Sequence, residues 1–158
     1  MKLIFSLLTA LFLFFQSGLE PLRNGYAKAN SSNANTEAFI ALAEKTSGSD
    51  PVIQGYKAAA QIMKAKVAKT NRKAIVKSGA TSLESVIKAH PSDIELRVIR
   101  LSIQENIPKI VGYRGSLKED KTYILNNYGK QSAALKNYIK RFAAQSKTIT
   151  PQERAALK

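Results

Sequence analysis

The chain has 158 residues, with 25 lysines and arginines against 11 acids, which gives a formal net charge of +14. Its length fits one domain. The absence of cysteine excludes a disulfide framework, a thiol nucleophile, an iron–sulfur cluster and a lipid anchor on a processed cysteine. We therefore expect packing alone to stabilise the fold.

The N-terminus is typical of a secretory signal peptide. Lys2 precedes an apolar run over residues 3–15, which is too short to span a bilayer comfortably. A small-x-small site at Ala27-Lys28-Ala29 predicts release of a chain that begins at Asn30. A cut elsewhere is the alternative, because the distance from Phe15 to this site is long for a signal peptide. Residues 1–29 are thus predicted to be a signal peptide, or an N-terminal anchor if they are not cut. The protein is expected to be exported, either periplasmic or secreted, and to be membrane-anchored if uncleaved.

Residues 30–36 are rich in Asn, Ser and Ala and predict a disordered spacer, followed by one helical domain over residues 37–158. Thr36 is the predicted cap of a short helix. Asp50-Pro51 has the order of an N-cap and first helical residue, and it predicts a second helix. A third is expected from Thr70-Asn71 to His90, where Ser78-Gly79 would bend the helix or allow close approach of a neighbour.

The segment 93–106 is predicted to be the central helix of the domain. Pro91 ends the preceding helix, and Ser92-x-x-Glu95 has the spacing of a capping box. At 100° per residue, two apolar faces lie opposite each other with polar seams between them. One face holds Ile94, Val98 and Leu101, and the other holds Leu96, Ile99 and Ile103. A bulged strand is the alternative, because apolar residues also alternate here.

The C-terminal third continues the helical pattern. A two-glycine loop at 112–115 is followed by Ser116-x-x-Glu119, a predicted capping box, and by Gly129 as a predicted helix-ending residue. Thr150-Pro151-Gln152-Glu153 combines a cap, a first-turn proline and a capping-box glutamate. Six or seven short helices joined by brief connectors predict an all-α fold of antiparallel hairpins packed around the central helix.

One motif resembles a known family. Gly79-x3-Leu83-x2-Val86-x4-Pro91 is similar in spacing to the second helix of a tetratricopeptide repeat, with Ser92-Asp93 at the start of the next unit. The first-helix signature is absent, so the resemblance covers one helix and one turn. It implies tetratricopeptide-like helical hairpins and a role in protein binding.

Two residues are candidates for chemistry. His90, the one histidine, stands at a predicted helix end, where the helix dipole favours it, and no ligand-spaced partner supports a metal site. Glu105 falls on an apolar face of the central helix and is expected to be buried, with Arg114 or Tyr113 as its partner. It is either a structural ion pair or a functional acid in a cleft. No catalytic or cofactor motif is present, so we expect no cofactor and no enzymatic activity.

Positive charge is the clearest functional signal. Two helical stretches carry basic residues without any acid, between Asp50 and Glu84 and between Asp120 and Glu153. The predicted contacts with an anionic surface are Lys57, Lys64, Lys136, Lys140 and Arg141. The aromatic residues near them fit a core better than a stacking platform, which argues against nucleic acid. A solvated surface kept for solubility is the alternative.

These features predict an exported, basic, helical binding protein without catalytic activity. Its expected target is a partner protein, held in a groove between helical hairpins, or an anionic membrane or polysaccharide surface. A structural or assembly component with no small ligand is the alternative, and an enzyme that uses Glu105 is a third possibility.

Overall fold

The computed structural model describes residues 19–158, which form eight α-helices, two short 3-10 turns and no strand. The all-α prediction is confirmed. The helices are α1 (Leu19–Ala29), α2 (Asn33–Lys45), α3 (Pro51–Val67), α4 (Arg72–Ala89), α5 (Ile94–Asn106), α6 (Leu117–Asn127), α7 (Ala133–Gln145) and α8 (Pro151–Ala155). The 3-10 turns are Lys109–Val111 and Tyr128–Lys130. Within this range, none of the helices has the length and hydropathy needed to cross a membrane.

The central helix α5 separates two hydrophobic cores, as its two predicted apolar faces require. Leu96, Ile99 and Ile103 pack in the core built with α1 to α4. The opposite face, Ile94, Val98 and Leu101, packs in the core built with α6, α7 and the C-terminal segment. The helical prediction for residues 93–106 is therefore confirmed, and the strand alternative is excluded. The cap differs from the prediction, because Asp93 rather than Ser92 accepts the first backbone amides.

Helix α1 is part of the first core, which corrects the predicted domain boundary. The predicted release site lies in this helix, where Leu22 and Ala29 are fully buried. The apolar run 3–15 lies outside the described residues. The spacer predicted for 30–36 is wrong, because α2 begins at Asn33 with Ser32 as its cap. Thr36 is buried inside α2, where its hydroxyl donates to Ala29 O at 2.7 Å, and it caps no helix.

Two of the predicted helix starts are confirmed and two other end signals are wrong. Asp50 caps α3, and Thr150 and Glu153 form a complete capping box on α8. Ser116 precedes α6 but makes no side-chain cap. Gly129 lies inside a 3-10 turn and has no positive φ. Short polar motifs therefore predict where helices begin and end more reliably than they predict the capping hydrogen bonds at those ends.

Helix α3 approaches two neighbours closely through glycines. A Cβ on Gly79 of α4 would lie 2.6 Å from Ile62 Cγ1 and 2.8 Å from Ile62 N. A Cβ on Gly55 would lie 2.5 Å from Leu96 Cδ2 on α5. All three distances are shorter than a real Cβ allows. At Gly79 one of the atoms is backbone, so α3 and α4 pack at this spacing only because the position lacks a side chain. At Gly55 the nearest atom is the end of the flexible Leu96 side chain, which can shift. The close approach expected at Gly79 is confirmed.

Candidate binding groove and buried carboxylates

A groove of about 810 Å³ opens where α3, α4 and the end of α5 meet the 3-10 turn Lys109–Val111. Most of its wall is apolar. The lining aliphatic and proline side chains are Ile62, Met63, Ala65, Val76, Ile103, Ile107, Pro108, Ile110 and Val111. Ile110 is 89% exposed, and it is the large hydrophobic side chain that stands out on the surface of the described chain. An apolar wall of this kind is typical of a binding site.

The turn that contains Ile110 is fixed by hydrogen bonds within it and by one from Arg114. Val111 N donates to Pro108 O, and Gly112 N donates to Lys109 O, both at 3.0 Å. Gly112 has a φ of 78°, which a glycine adopts without strain. Arg114 reaches back and donates to Ile107 O at 2.9 Å. These hydrogen bonds fix the backbone of the turn, and the Ile110 side chain therefore stays exposed at the surface.

The charged part of the groove wall is basic. Lys66 lies in the last turn of α3, Arg72 and Lys73 are the first two residues of α4, and all three line the groove. Lys66 Nζ donates to Asn30 O at 3.0 Å, and Arg72 Nε donates to Ala68 O at 2.8 Å. Within residues 19–158, no carboxylate lies within 4.0 Å of these three cations. Their charge therefore remains available to an anionic partner.

The basic residues selected from the sequence lie elsewhere. Lys57 and Lys64 of α3 line a different depression, and Lys64 forms an ion pair with Glu44. Lys140 is exposed on α7. Helix α3 packs mainly on α2 and α4, while α7 packs on α5 and α8. The selected lysines of α3 and α7 therefore lie on helices with different main packing partners.

The other two selected cations on α7 lie against aromatic rings. Lys136 Nζ lies 5.6 Å from the ring centroid of Tyr128, and the Arg141 guanidinium lies 6.0 Å from that of Tyr138. Both are ordinary cation–π positions. Sequence reasoning missed the groove cations, which flank the short connector between α3 and α4. The sequence signal that could have indicated them is their position on either side of a predicted hairpin turn, which brings such residues close together.

The first buried carboxylate, Glu95, joins four helices. Arg23 Nε donates to its Oε1 at 2.8 Å and Arg23 Nη2 to its Oε2 at 2.6 Å, a bidentate pair. The Tyr56 hydroxyl donates to Glu95 at 2.8 Å and lies 3.0 Å from the Tyr138 hydroxyl. Burial raises the pKa of both tyrosines well above the ordinary value. Burial alone would lower the pKa of Arg23, but its bonds and attraction to Glu95 raise it.

The second buried carboxylate, Asp120, is fully enclosed and also binds arginine. Arg100 donates to both of its oxygens at 2.7 Å, and Arg97 donates at 3.1 Å. Arg100 also pairs with Glu84 at 2.7 Å, and Glu84 accepts from the Tyr113 hydroxyl. Tyr113 therefore binds Glu84 and not Glu105, which corrects one predicted partner. The whole cluster holds α4, α5 and α6 together.

Glu105 is buried as predicted, with 5% of its surface exposed, but its partners differ from those expected. Its Oε1 accepts from the Ser146 hydroxyl and from Thr148 N, the latter at 2.9 Å. Arg114 binds the backbone carbonyl of Glu105, not its carboxylate. The expected ion pair is therefore wrong. The sequence could not place Ser146 and Thr148 here, because they follow α7 and lie 41 and 43 residues away.

Glu105 lines a second cavity of about 390 Å³, next to the groove, whose wall includes Tyr26, Tyr138, Arg141 and Phe142. His90 lines neither this cavity nor the groove; it is exposed, and its amide closes the end of α4. In the described part of the chain, His, Asp and Glu side chains form no group of three placed to hold a metal ion.

Comparison of the chain with protein-family models, with curated proteins and with solved structures found no match. Its function is therefore inferred from the geometry of the molecule itself. Two buried acids are neutralised by arginine and act as structural links. The apolar groove with its basic rim and the cavity beside Glu105 are two candidate places for a ligand.

Proposed function

We propose that this is an exported, non-catalytic binding protein whose groove receives an acidic, apolar segment of a partner protein. The observation that carries the proposal is the charge arrangement of the groove. Aliphatic side chains form its floor, and Lys66, Arg72 and Lys73 are its charged lining residues. A helix or extended segment that alternates apolar and acidic side chains is complementary to both features.

The size and rigidity of the groove also support a protein segment. Its volume of about 810 Å³ accommodates several side chains. Its walls belong to helices tied to the core, and the turn that carries Ile110 is fixed by Arg114. A preformed site loses little conformational entropy on binding, so a moderate number of contacts can give useful affinity. The tetratricopeptide-like arrangement stays part of the proposal, supported by the short α3–α4 connection and the close approach at Gly79.

Export also stays a proposal, and the packing of α1 refines it. A cut after Ala29 would remove Arg23 from Glu95 and Leu22 from the first core. We therefore place any release site before Leu19, so that α1 remains with the domain. If the segment is not cut, the same domain is anchored at the membrane.

Binding of a labelled acidic amphipathic peptide, followed by fluorescence anisotropy on the full chain, tests the function. The probe is an 18-residue peptide of Leu and Glu with one apolar face, and its matched controls carry Gln or Lys in place of Glu. We expect the Glu peptide alone to bind with high affinity, and added salt to weaken it. Reversal of two rim charges in the variant K66E/K73E should weaken binding about tenfold or more.

The variant K136E/K140E is the matched control, because these two lysines lie on α7 and outside the groove. It should bind the peptide like the unchanged protein. An anionic surface as the target, through the basic helices, predicts the opposite pattern. In that case vesicles of phosphatidylglycerol would bind in preference to the peptide, and K136E/K140E would lose more affinity than K66E/K73E. That result would overturn the groove proposal.

A further inference from the structure

The cavity beside Glu105 contains a buried carboxylate that forms no ion pair with any residue of the described chain. Three acids are buried in the described chain: Glu95, Glu105 and Asp120. Glu95 is paired with Arg23, and Asp120 with two arginines. Among residues 19–158, no lysine, arginine or histidine nitrogen lies within 4.0 Å of the Glu105 carboxylate. A carboxylate with so little exposure to water, 5% for Glu105, is stabilised when a cation comes to it.

One oxygen of the Glu105 carboxylate can still accept hydrogen bonds from a ligand. Ser146 and Thr148 both donate to Oε1, and no described residue donates to Oε2. The residue lines the 390 Å³ cavity, so a ligand that enters this space meets the carboxylate directly. A carboxylate oxygen accepts more than one hydrogen bond, and a primary ammonium supplies three donors. The protein thus fixes one side of the carboxylate and leaves the other to the cavity.

The rest of the wall combines aromatic side chains with the neutral polar side chains of Asn30, Ser102, Asn106 and Gln145. Aromatic side chains of Tyr26, Tyr138 and Phe142 line the cavity, which weakens local screening and strengthens an ion pair. Arg141 lines it too, is exposed, and is held by Asn24 Oδ1 at 3.3 Å. An anionic group on the same ligand could therefore reach Arg141 while its ammonium lies at Glu105.

We propose that this cavity binds a small organic amine through Glu105, and that Arg141 gives preference to amines that also carry a carboxylate. The ammonium supplies the positive charge that arginine supplies to Glu95 and Asp120. This inference does not depend on the proposed function of the groove, although the two depressions share Tyr26, Asn30 and Asn106. The expected ligand class is an amino-acid-like zwitterion.

The test is a nuclear magnetic resonance titration of the full chain with three compounds of similar size: butylamine, 4-aminobutyrate and butyrate. The Thr148 amide is a local reporter, since it donates to Glu105 at 2.9 Å. We expect a saturable shift with butylamine, a tighter one with 4-aminobutyrate, and none with butyrate. Equal binding of butyrate, or no saturable shift with either amine, would overturn the proposal.

Variants assign the effect to the cavity. Glu105→Gln should weaken amine binding at least tenfold, and Arg141→Gln should remove the difference between butylamine and 4-aminobutyrate. Ala144→Phe fills the cavity edge while the carboxylate remains, so it should also weaken binding tenfold even where Glu105→Gln proves poorly folded. Ala134→Phe, on the same helix but outside the cavity, is its control and should bind normally. Undiminished amine binding by Ala144→Phe would contradict the proposed site.

Discussion

Arg23 and Glu95 form a bidentate ion pair in the core although 72 residues separate them in the chain. The guanidinium comes from α1 and the carboxylate from the first turn of α5, so the pair fixes the N-terminal helix to the central one. Tyr56 of α3 adds a third hydrogen bond to the same carboxylate. With 2% of Glu95 exposed, water cannot replace any of these partners.

Replacement of Arg23 by methionine should therefore destabilise the protein strongly. The change keeps most of the apolar stem but leaves the Glu95 carboxylate buried without its cation, at a cost of about 3–5 kcal/mol. Urea unfolding followed by circular dichroism measures it. The matched control is Arg141→Met, because this exposed arginine pairs with no acid in the described chain. A loss below about 1 kcal/mol for Arg23→Met would contradict the role given to the pair.

The same contacts predict which N-terminal truncation folds. A chain that begins at Leu19 keeps α1, whereas one that begins at Asn30 lacks Leu22, Arg23 and Tyr26. We expect the longer form to unfold cooperatively near the urea midpoint of the full chain, and the shorter form to be largely unfolded. Equal midpoints for the two truncations would mean that α1 is dispensable, and release after Ala29 would then remain compatible with folding.

The central helix shows how far the sequence could predict this fold. Its two apolar faces were evident because helical periodicity is a local property of the chain. Helical periodicity puts Glu95 and Arg100 in the polar seams between these faces, but both are buried, since a helix packed on two sides also has its seams covered. Their partners, Arg23 and Asp120, come from distant segments that no spacing rule connects.

The groove and the cavity beside Glu105 could likewise be predicted only in part from the sequence. Burial of Glu105 followed from its position on an apolar face, but its bonds to Ser146 and Thr148 depend on how the chain after α7 returns to α5. The groove depends on a short 3-10 turn over Lys109–Val111, which is too brief to show periodicity. The sequence shows that its three lining cations are charged, but not that they lie together. They lie together only because the α3–α4 hairpin brings the end of one helix close to the start of the next.

Close packing at Gly79 gives a second stability prediction. Alanine at this position would place Cβ 2.8 Å from the backbone nitrogen of Ile62, so α3 and α4 must separate. The expected loss is about 1–3 kcal/mol, although alanine favours helix formation. Gly129→Ala is the control, because a Cβ there meets nothing within 4 Å. Thermal unfolding should show a lower midpoint for Gly79→Ala and little change for Gly129→Ala; similar midpoints would contradict the close approach.

Alkaline pH should unfold the protein through four tyrosines, of which Tyr26, Tyr56 and Tyr138 are buried and Tyr113 is half-buried. Burial raises the pKa of Tyr26, Tyr56, Tyr113 and Tyr138 above the ordinary value, so these hydroxyls stay protonated in the folded state. In the unfolded chain they ionise near pH 10. Above that pH the folded state binds more protons than the unfolded state, and stability falls as pH rises.

The measurement is an absorbance titration of phenolate, repeated in urea. We expect Tyr26, Tyr56, Tyr113 and Tyr138 to ionise only together with the loss of helical circular dichroism, and the same four to ionise near pH 10 in urea. Tyr138→Phe removes one buried hydroxyl and with it one proton from the alkaline transition, so its dependence on pH should be less steep. Smooth ionisation of these four near pH 10 in a chain that remains helical would show that their hydroxyls are not shielded from water as described.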